Sequence, residues 1–143
     1  MYPEVPLGIK AVVCAIYEPP QESSRDHLKI LPDPREEVVE EMAASLGLRR
    51  VGWIFTDLVP LNNGLVKQFR GAETHFLTAQ EIITAASYQN NFLNNCKLTD
   101  EGYFGSKFVT ICVTGNKDNE VHMEGYQVRI VSTSLGLRYA SLC

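Results

Sequence analysis

One helix pattern set between two apolar runs constrains the fold of this chain more than any other feature. Apolar side chains recur at helical spacing from Pro34 to about Leu46, and Gly47 supplies a left-handed stop after them. Upstream, Leu7 to Tyr17 is an almost unbroken apolar and β-branched run, which is typical of a buried strand. Downstream, Leu48 to Phe55 predicts another strand. Strand, helix and strand in succession favour parallel pairing, so the pattern predicts an α/β fold.

Two capping patterns predict where helices begin. Asp33 can cap the first helix, and Glu36 follows it at the spacing of a capping box. Thr78 and Glu81 have the same spacing and open a second helix. The side chains of the second helix that we expect to face the sheet are Ile82, Ile83 and Ala86. The fold expected is a mixed sheet flanked by helices.

The C-terminal half predicts a β-hairpin and two long loops. Lys107 to Val113 and Glu120 to Val131 are strand-like and are joined by the turn-rich segment Gly115 to Asn119. Leu58 to Glu73 and Gln89 to Ser106 lack periodicity and are rich in asparagine and glycine. Long loops in a compact domain are usually binding surfaces or disorder, and both alternatives are open at this point.

Composition excludes several classes of function. The net charge of −4 at pH 7 provides no basic patch, which argues against nucleic acid or an anionic membrane surface as a partner. No apolar run reaches the length of a membrane span. The cysteines Cys14, Cys96, Cys112 and Cys143 lie far apart and lack the spacing of a zinc site, so we expect reduced thiols.

Four segments, taken in order, resemble the nuclear protein localization protein 4 family. The segments are Ile16 to Gln21, Leu46 to Leu58, Gly105 to Thr110 and Glu124 to Val128. They resemble the MPN-type domain of that family from about Leu7 to Val128. The resemblance implies an N-terminal remnant at residues 1–6, an incomplete MPN (JAMM-like) domain at residues 7–128 and an unmatched tail at residues 129–143.

The resemblance also implies a metal site that has lost its ligands. JAMM enzymes hold zinc with His-x-His, and these positions are Phe55 and Asp57 here. Thr78 and Glu81 stand where such enzymes have the serine and aspartate of Ser-x-x-Asp. A phenyl ring offers no lone pair, so we expect no metal, no cofactor and no catalysis. Asp57 and Glu81 would suit weak binding of a hard cation better than zinc, and a helix cap alone would explain Thr78 and Glu81.

The family resemblance implies a function in ubiquitin-dependent protein degradation. Its members pair with ubiquitin-fusion degradation protein 1 as adaptors of the AAA ATPase valosin-containing protein, in the cytoplasm and the nucleus. Carried to this chain, the resemblance implies recognition of ubiquitin, with the ATPase contacted through regions outside this sequence. The competing hypotheses are an active metal-dependent deubiquitinase and a truncated product without independent function.

Five side chains near the two loops are candidates for the ubiquitin contact. They are Thr74, His75, Tyr103, Phe104 and Phe108. Aromatic residues in loops commonly anchor extended peptides. Tyr103 and Phe104 could equally fold back onto the core, and Thr74 and His75 could simply lead into the helix cap.

The apolar run Leu7 to Tyr17 carries a further expectation about stability. MPN domains have a helix and strands upstream of this point, so the run should lack a neighbour. Lys10 is its only charged residue, and an exposed apolar edge is a template for pairing with other chains. We therefore expect the isolated chain to be marginally stable or prone to aggregate.

Overall fold

The structure, a computed structural model, describes residues 11–24, 27–132 and 138–142. They form two compact units, the first ending at Val51 and the second beginning at Gly52. The described part of the first unit contains strands β1 (Gln21–Ser24) and β2 (His27–Ile30), which pair antiparallel, and helix α1 (Glu36–Ser45).

Helix α1 ends at the predicted glycine. Gly47 has a φ of 70°, which only glycine adopts without strain. The Gly47 N–H donates to the Ala44 carbonyl at 3.0 Å, and the Leu48 N–H donates to the Ala43 carbonyl at 2.8 Å. This pair of bonds is the Schellman motif, so the predicted stop at Gly47 is confirmed.

The start of α1 differs from the prediction. The N-cap is Arg35, which makes no side-chain capping bond, and the helix begins at Glu36 instead of Pro34. The Asp33 carboxylate accepts the Arg35 N–H at 2.9 Å and the Tyr17 hydroxyl at 2.6 Å. The predicted capping box is therefore wrong, because the carboxylate closes a local turn two residues ahead instead of capping the helix.

The predicted first strand is also wrong where the structure describes it. Residues 11–17 are exposed and belong to no strand, and residues 7–10 lie outside the described residues. Apolar content favours burial, but a strand also needs a neighbour that pairs with its backbone, and sequence pattern alone does not supply one. The expected tendency to aggregate stays a prediction.

The second unit is built on a three-stranded mixed sheet. Its strands are β3 (Gly52–Thr56), β6 (Val109–Gly115) and β7 (Val121–Tyr126), in the order β3–β6–β7. Strand β3 runs parallel to β6, and β6 runs antiparallel to β7. The predicted mixed sheet and the β6–β7 hairpin are confirmed. The turn is closed by Asn116, whose side-chain oxygen accepts the Asp118 and Glu120 N–H groups.

Helix α2 (Ala79–Asn91) packs against this sheet and begins with the predicted capping box at Thr78. Ala85 and Ala86 are buried with Val128, and Trp53 and Ile82 pack against them. Ile83 is exposed, so its predicted place on the sheet is wrong. Successive residues of a helix are about 100° apart, which turns position 83 away when positions 82 and 86 face inward.

Two smaller antiparallel pairs complete the described part of this unit. Strands β4 (Leu93–Asn95) and β5 (Tyr103–Ser106) form a hairpin in the segment predicted as one long loop. Strands β8 (Val128–Ser132) and β9 (Arg138–Leu142) pair with each other, so the predicted strand at 120–131 is divided at Gln127. The remaining loop, residues 58–73, is tightened by a bridge between Pro60 and Val66.

Candidate functional site

A buried arginine that the sequence motifs did not single out joins two carboxylates in the second unit. Arg70 lies in the long loop, and only 4% of its side chain is exposed. Its Nε donates to Asp57 Oδ2, and its Nη2 donates to Glu81 Oε1 at 2.7 Å. Its Nη1 donates to Glu81 Oε2 at 2.8 Å and to the Phe76 carbonyl at 2.9 Å. One guanidinium thus holds four oxygen atoms.

Two secondary-structure elements fix the carboxylates around Arg70. Asp57 follows β3 directly, and its N–H donates to the Val113 carbonyl at 2.8 Å, which continues the pairing with β6. Glu81 lies in the first turn of α2. Its Oε2 also accepts the Thr78 N–H at 2.7 Å, while Thr78 Oγ1 accepts the Glu81 N–H at 3.3 Å. Glu81 therefore caps a helix and holds Arg70 at the same time.

An aromatic ring and a thiol lie beside the ion pair. The Arg70 guanidinium carbon is 5.5 Å from the centroid of the Phe55 ring, a cation–π distance. Phe55 is buried and pairs in register with Cys112 of β6, which is fully buried. The sheet therefore places an apolar ring and a thiol beside the guanidinium.

The electrostatics of the site follow from burial and pairing together. Burial by itself would lower the pKa of Arg70, but the hydrogen bonds to Glu81 and Asp57 outweigh it and raise that pKa. Burial would likewise raise the pKa of Glu81, and its hydrogen bonds with Arg70 and Thr78 overcome this and lower it. Burial raises the pKa of Cys112 to about 12, so its thiol is neutral at pH 7. The cluster is an ion pair without a reactive thiolate.

The donor set does not fit a catalytic zinc. Such a site needs three protein ligands and an open position for water. Phe55 has no lone pair, and the cation between Asp57 and Glu81 is a guanidinium. Across the part of the chain that the structure describes, no three His, Cys, Asp or Glu side chains are arranged to hold a metal ion together. The structure brings Phe55, Asp57 and Glu81 together around Arg70, and Thr78 bonds Glu81 as the helix cap.

Four of the five candidate binding residues are exposed. Thr74 and His75 lie in the turn before α2, where Thr74 Oγ1 donates to the Phe69 carbonyl at 2.6 Å. Tyr103 and Phe104 lie on β5, and Phe104 is 72% exposed. The alternative that Phe104 folds back onto the core is therefore wrong.

Phe108 is placed differently from the other four candidates. It is only 3% exposed and stacks on Tyr88 at 5.5 Å and on Phe92 at 4.9 Å between ring centroids. Tyr88 also contacts Trp53, at 5.8 Å. In this structure the Phe108 ring therefore presents almost no surface to a partner, and its contact with ubiquitin stays a prediction. Its role is to hold the base of the hairpin, because Phe92 directly precedes β4.

The β4–β5 hairpin also exposes apolar residues that sequence reasoning missed. Leu93 of β4 and Leu98 of the connection between β4 and β5 are exposed. The sequence does indicate these residues, since apolar side chains recur through a segment that is otherwise polar and loop-like. Arg70 gave no such signal, because its carboxylate partners are 13 and 11 positions away along the chain.

Comparisons with known proteins point to one family. The model of the NPL4 family matches residues 1–136. Over 127 residues, 87% of this chain, the sequence is similar to the Nuclear protein localization protein 4 homologs of Drosophila melanogaster, at 59% identity, and Homo sapiens, at 55%. The Schizosaccharomyces pombe protein of that name is 45% identical over 136 residues, 94% of this chain. These matches confirm the resemblance seen in the sequence.

The chain covers only part of those relatives. It spans 20% of the Drosophila protein, 21% of the human protein and 24% of the fission yeast protein. What the whole relatives do is therefore not transferred directly to this chain. In the part of the chain that is described, no helix has the length and apolar character needed to cross a membrane.

Proposed function

This chain belongs to the NPL4 family, and from that premise we propose that it is a non-catalytic, ubiquitin-binding MPN module. In this proposal, the protein acts as an adaptor. Together with ubiquitin-fusion degradation protein 1, it delivers ubiquitinated proteins to the AAA ATPase valosin-containing protein. The adaptor acts in the cytoplasm and the nucleus. We assign the ATPase contact to parts of the relatives that this chain does not cover.

One observation carries the binding half of the proposal: the β4–β5 hairpin presents aromatic side chains on a fixed base. Phe104 is 72% exposed, and Tyr103 beside it is also exposed. Exposed aromatic rings beside strands suit the capture of an extended peptide, because backbone edges pair with the peptide and rings anchor its side chains. Together with the family resemblance, this exposure supports a ubiquitin segment in an extended or unfolded state as the proposed ligand.

The hairpin is held in three ways, two of them at its base. Ser106 Oγ donates to the Phe92 carbonyl at 2.5 Å and accepts the Phe108 N–H at 3.1 Å. Thr99 Oγ1 donates to the Tyr103 carbonyl at 2.9 Å. The stacked Phe92 and Phe108 rings anchor it to the core. A fixed base lowers the entropy that binding would otherwise cost.

The non-catalytic half is supported by the donor set around Arg70. A zinc-activated water needs imidazole or thiolate ligands with an open position, and Phe55 and Arg70 provide neither. We expect purified protein to contain no zinc near one equivalent by elemental analysis. Stoichiometric zinc, or cleavage of di-ubiquitin that Asp57→Ala abolishes, would instead identify a metal-dependent deubiquitinase.

The binding test uses the whole chain with native and with unfolded ubiquitin. Replacing Tyr103 and Phe104 together by alanine should weaken binding by about 1–2 kcal/mol, the usual scale for truncated interface aromatics. The matched control replaces Val121 and Met123 on β7 by alanine. These residues are also exposed and apolar, and their replacement should leave the affinity unchanged. Isothermal titration calorimetry measures the affinity of the wild type and of both variants for each form of ubiquitin.

Two outcomes would contradict the binding proposal. A folded Tyr103→Ala/Phe104→Ala variant with unchanged affinity would remove the hairpin from the site. A wild-type chain that binds neither form of ubiquitin would favour a product without independent function. Tight binding of the ATPase by this chain alone would overturn the assignment of that contact to the rest of the protein.

A further inference from the structure

The oxygens that hold Arg70 have the composition of a cation site. They belong to the Asp57 carboxylate, the Phe76 carbonyl and both oxygens of the Glu81 carboxylate, which we call the oxygen cage. Both carboxylates are largely buried. Carboxylate and backbone carbonyl oxygens are the ligands that hard divalent cations prefer. All four converge on one positive group.

A buried hydroxyl on β6, at the position opposite Asp57, supports this interpretation. Thr114 is 1% exposed, and its Oγ1 has no hydrogen-bond partner among the residues that the structure describes. Phe55 of β3 pairs with Cys112 of β6. Asp57 and Thr114 each lie two residues further along the chain, so they stand opposite one another. The alternation of strands therefore places Thr114 beside Asp57 on the face that carries Phe55. A buried, unpaired hydroxyl calls for a partner, and its oxygen is of the type that hard cations accept.

We propose that Arg70 is the resident cation of the oxygen cage, and that removing its guanidinium uncovers a binding site for a hard divalent cation such as Mn²⁺. The guanidinium neutralises only one of the two carboxylates, whereas a divalent cation would neutralise both. In the wild-type chain Arg70 fills the cage and ties the loop to the end of β3 and the start of α2. The loop is thus fixed without a metal.

This proposal does not depend on ubiquitin binding. The oxygen cage and the β4–β5 hairpin share none of their residues, so a failed ubiquitin titration leaves the metal test intact. The converse also holds, because metal binding by a variant says nothing about the affinity of the hairpin.

The experiment measures Mn²⁺ binding to the full chain by electron paramagnetic resonance of free Mn²⁺. Arg70→Ala should bind one Mn²⁺ at least about tenfold more tightly than the wild type, because the Asp57 and Glu81 carboxylates no longer pair with the guanidinium and can bind the ion. The double variant Arg70→Ala/Glu81→Gln should lose that gain. Arg50→Ala is the matched control, because Arg50 also bridges two glutamates but is partly exposed. It should bind Mn²⁺ no better than the wild type.

A second readout is the thermal unfolding midpoint with and without Mn²⁺. The ion should raise the midpoint of Arg70→Ala and leave that of the wild type unchanged. Should Arg70→Ala fail to fold in plain buffer, refolding in Mn²⁺ gives the same distinction: recovery supports the proposal and no recovery overturns it. Equal Mn²⁺ affinity of wild type and variant would also overturn it, as would a wild-type Mn²⁺ site that Asp57→Asn abolishes.

Discussion

Two arginines in this chain each bridge two carboxylates, and they differ mainly in their exposure to water. Arg50 of the first unit bonds Glu36 at 3.2 Å and also pairs with Glu40 of α1. About a third of the Arg50 side chain is exposed, and both glutamates are more exposed still. Arg70 is buried, both of its partners are largely buried, and it also bonds a backbone carbonyl.

The difference shows that ion pairs of the same charges contribute differently to stability at the two positions. Water screens the Arg50 pairs and solvates each charge when its partner moves away, so such pairs contribute about 0–1 kcal/mol. Around Arg70 little water is available, so both carboxylates depend largely on the guanidinium for their hydrogen bonds, although Glu81 also accepts the Thr78 N–H. Removing one member of a buried ion pair leaves an uncompensated charge, which typically costs about 3–5 kcal/mol.

The largest expected effect comes from Arg70→Ala. Without added divalent cations, the variant should lose about 3–5 kcal/mol of unfolding free energy, because two largely buried carboxylates lose their common partner. Urea denaturation followed by Trp53 fluorescence measures the loss, since Trp53 packs on the core of the same unit.

The triple variant Asp57→Asn/Arg70→Met/Glu81→Gln sharpens this result. It removes all three charges together, so it should cost less than Arg70→Ala alone. A triple variant that is less stable than Arg70→Ala would show that packing of the arginine, and not the stranded charge, dominates.

The next effect is a loss of stability in acid that depends on Glu81. Its pKa in the folded chain is lowered below the ordinary value of 4.5, so the unfolded chain takes up the proton first as the pH falls. The stabilisation is fully present above the unfolded pKa and is lost as the pH falls through the folded pKa. Glu81→Gln should cost about 1.5–3 kcal/mol at pH 7, the range for a hydrogen bond to a charged group, and should flatten the acid dependence.

Urea denaturation at a series of pH values from neutral to acid tests this. The wild type and Glu81→Gln should differ most near pH 7 and converge in acid. A constant difference across the series would mean that the glutamate contributes through packing or capping alone.

Sequence reasoning succeeded for several contacts between residues close along the chain, although the capping box predicted at Asp33 was wrong. The Thr78 capping box, the stop at Gly47 and the β6–β7 turn each involve partners within a few positions, so their spacing alone identifies them. It failed for residues 11–17, where the apolar run predicted a strand but pairing depends on a neighbour that the pattern does not specify.

The candidate site shows the same limit. Positions 55, 57, 78 and 81 were identified through a family resemblance, but the cation between them was not. Arg70 reaches Asp57 and Glu81 only because the loop folds back over β3 and α2, and no spacing rule covers such a contact. The exposure of Phe104 and the burial of Phe108 were equally undetermined, since both are aromatic residues in the same short segment.

The smallest expected effect, and the control for the whole comparison, comes from Arg50→Ala. The variant removes one arginine and leaves two glutamates unpaired, as Arg70→Ala does, but water can solvate these glutamates. The expected loss of unfolding free energy is therefore no more than about 1 kcal/mol, and salt should reduce it further because exposed charges are screened. Urea denaturation at low and high salt measures both quantities, with circular dichroism as the signal because Trp53 reports on the other unit. A loss as large as that of Arg70→Ala, unchanged by salt, would contradict the idea that burial separates the two arginines, since the number of carboxylates each one holds would then decide its contribution.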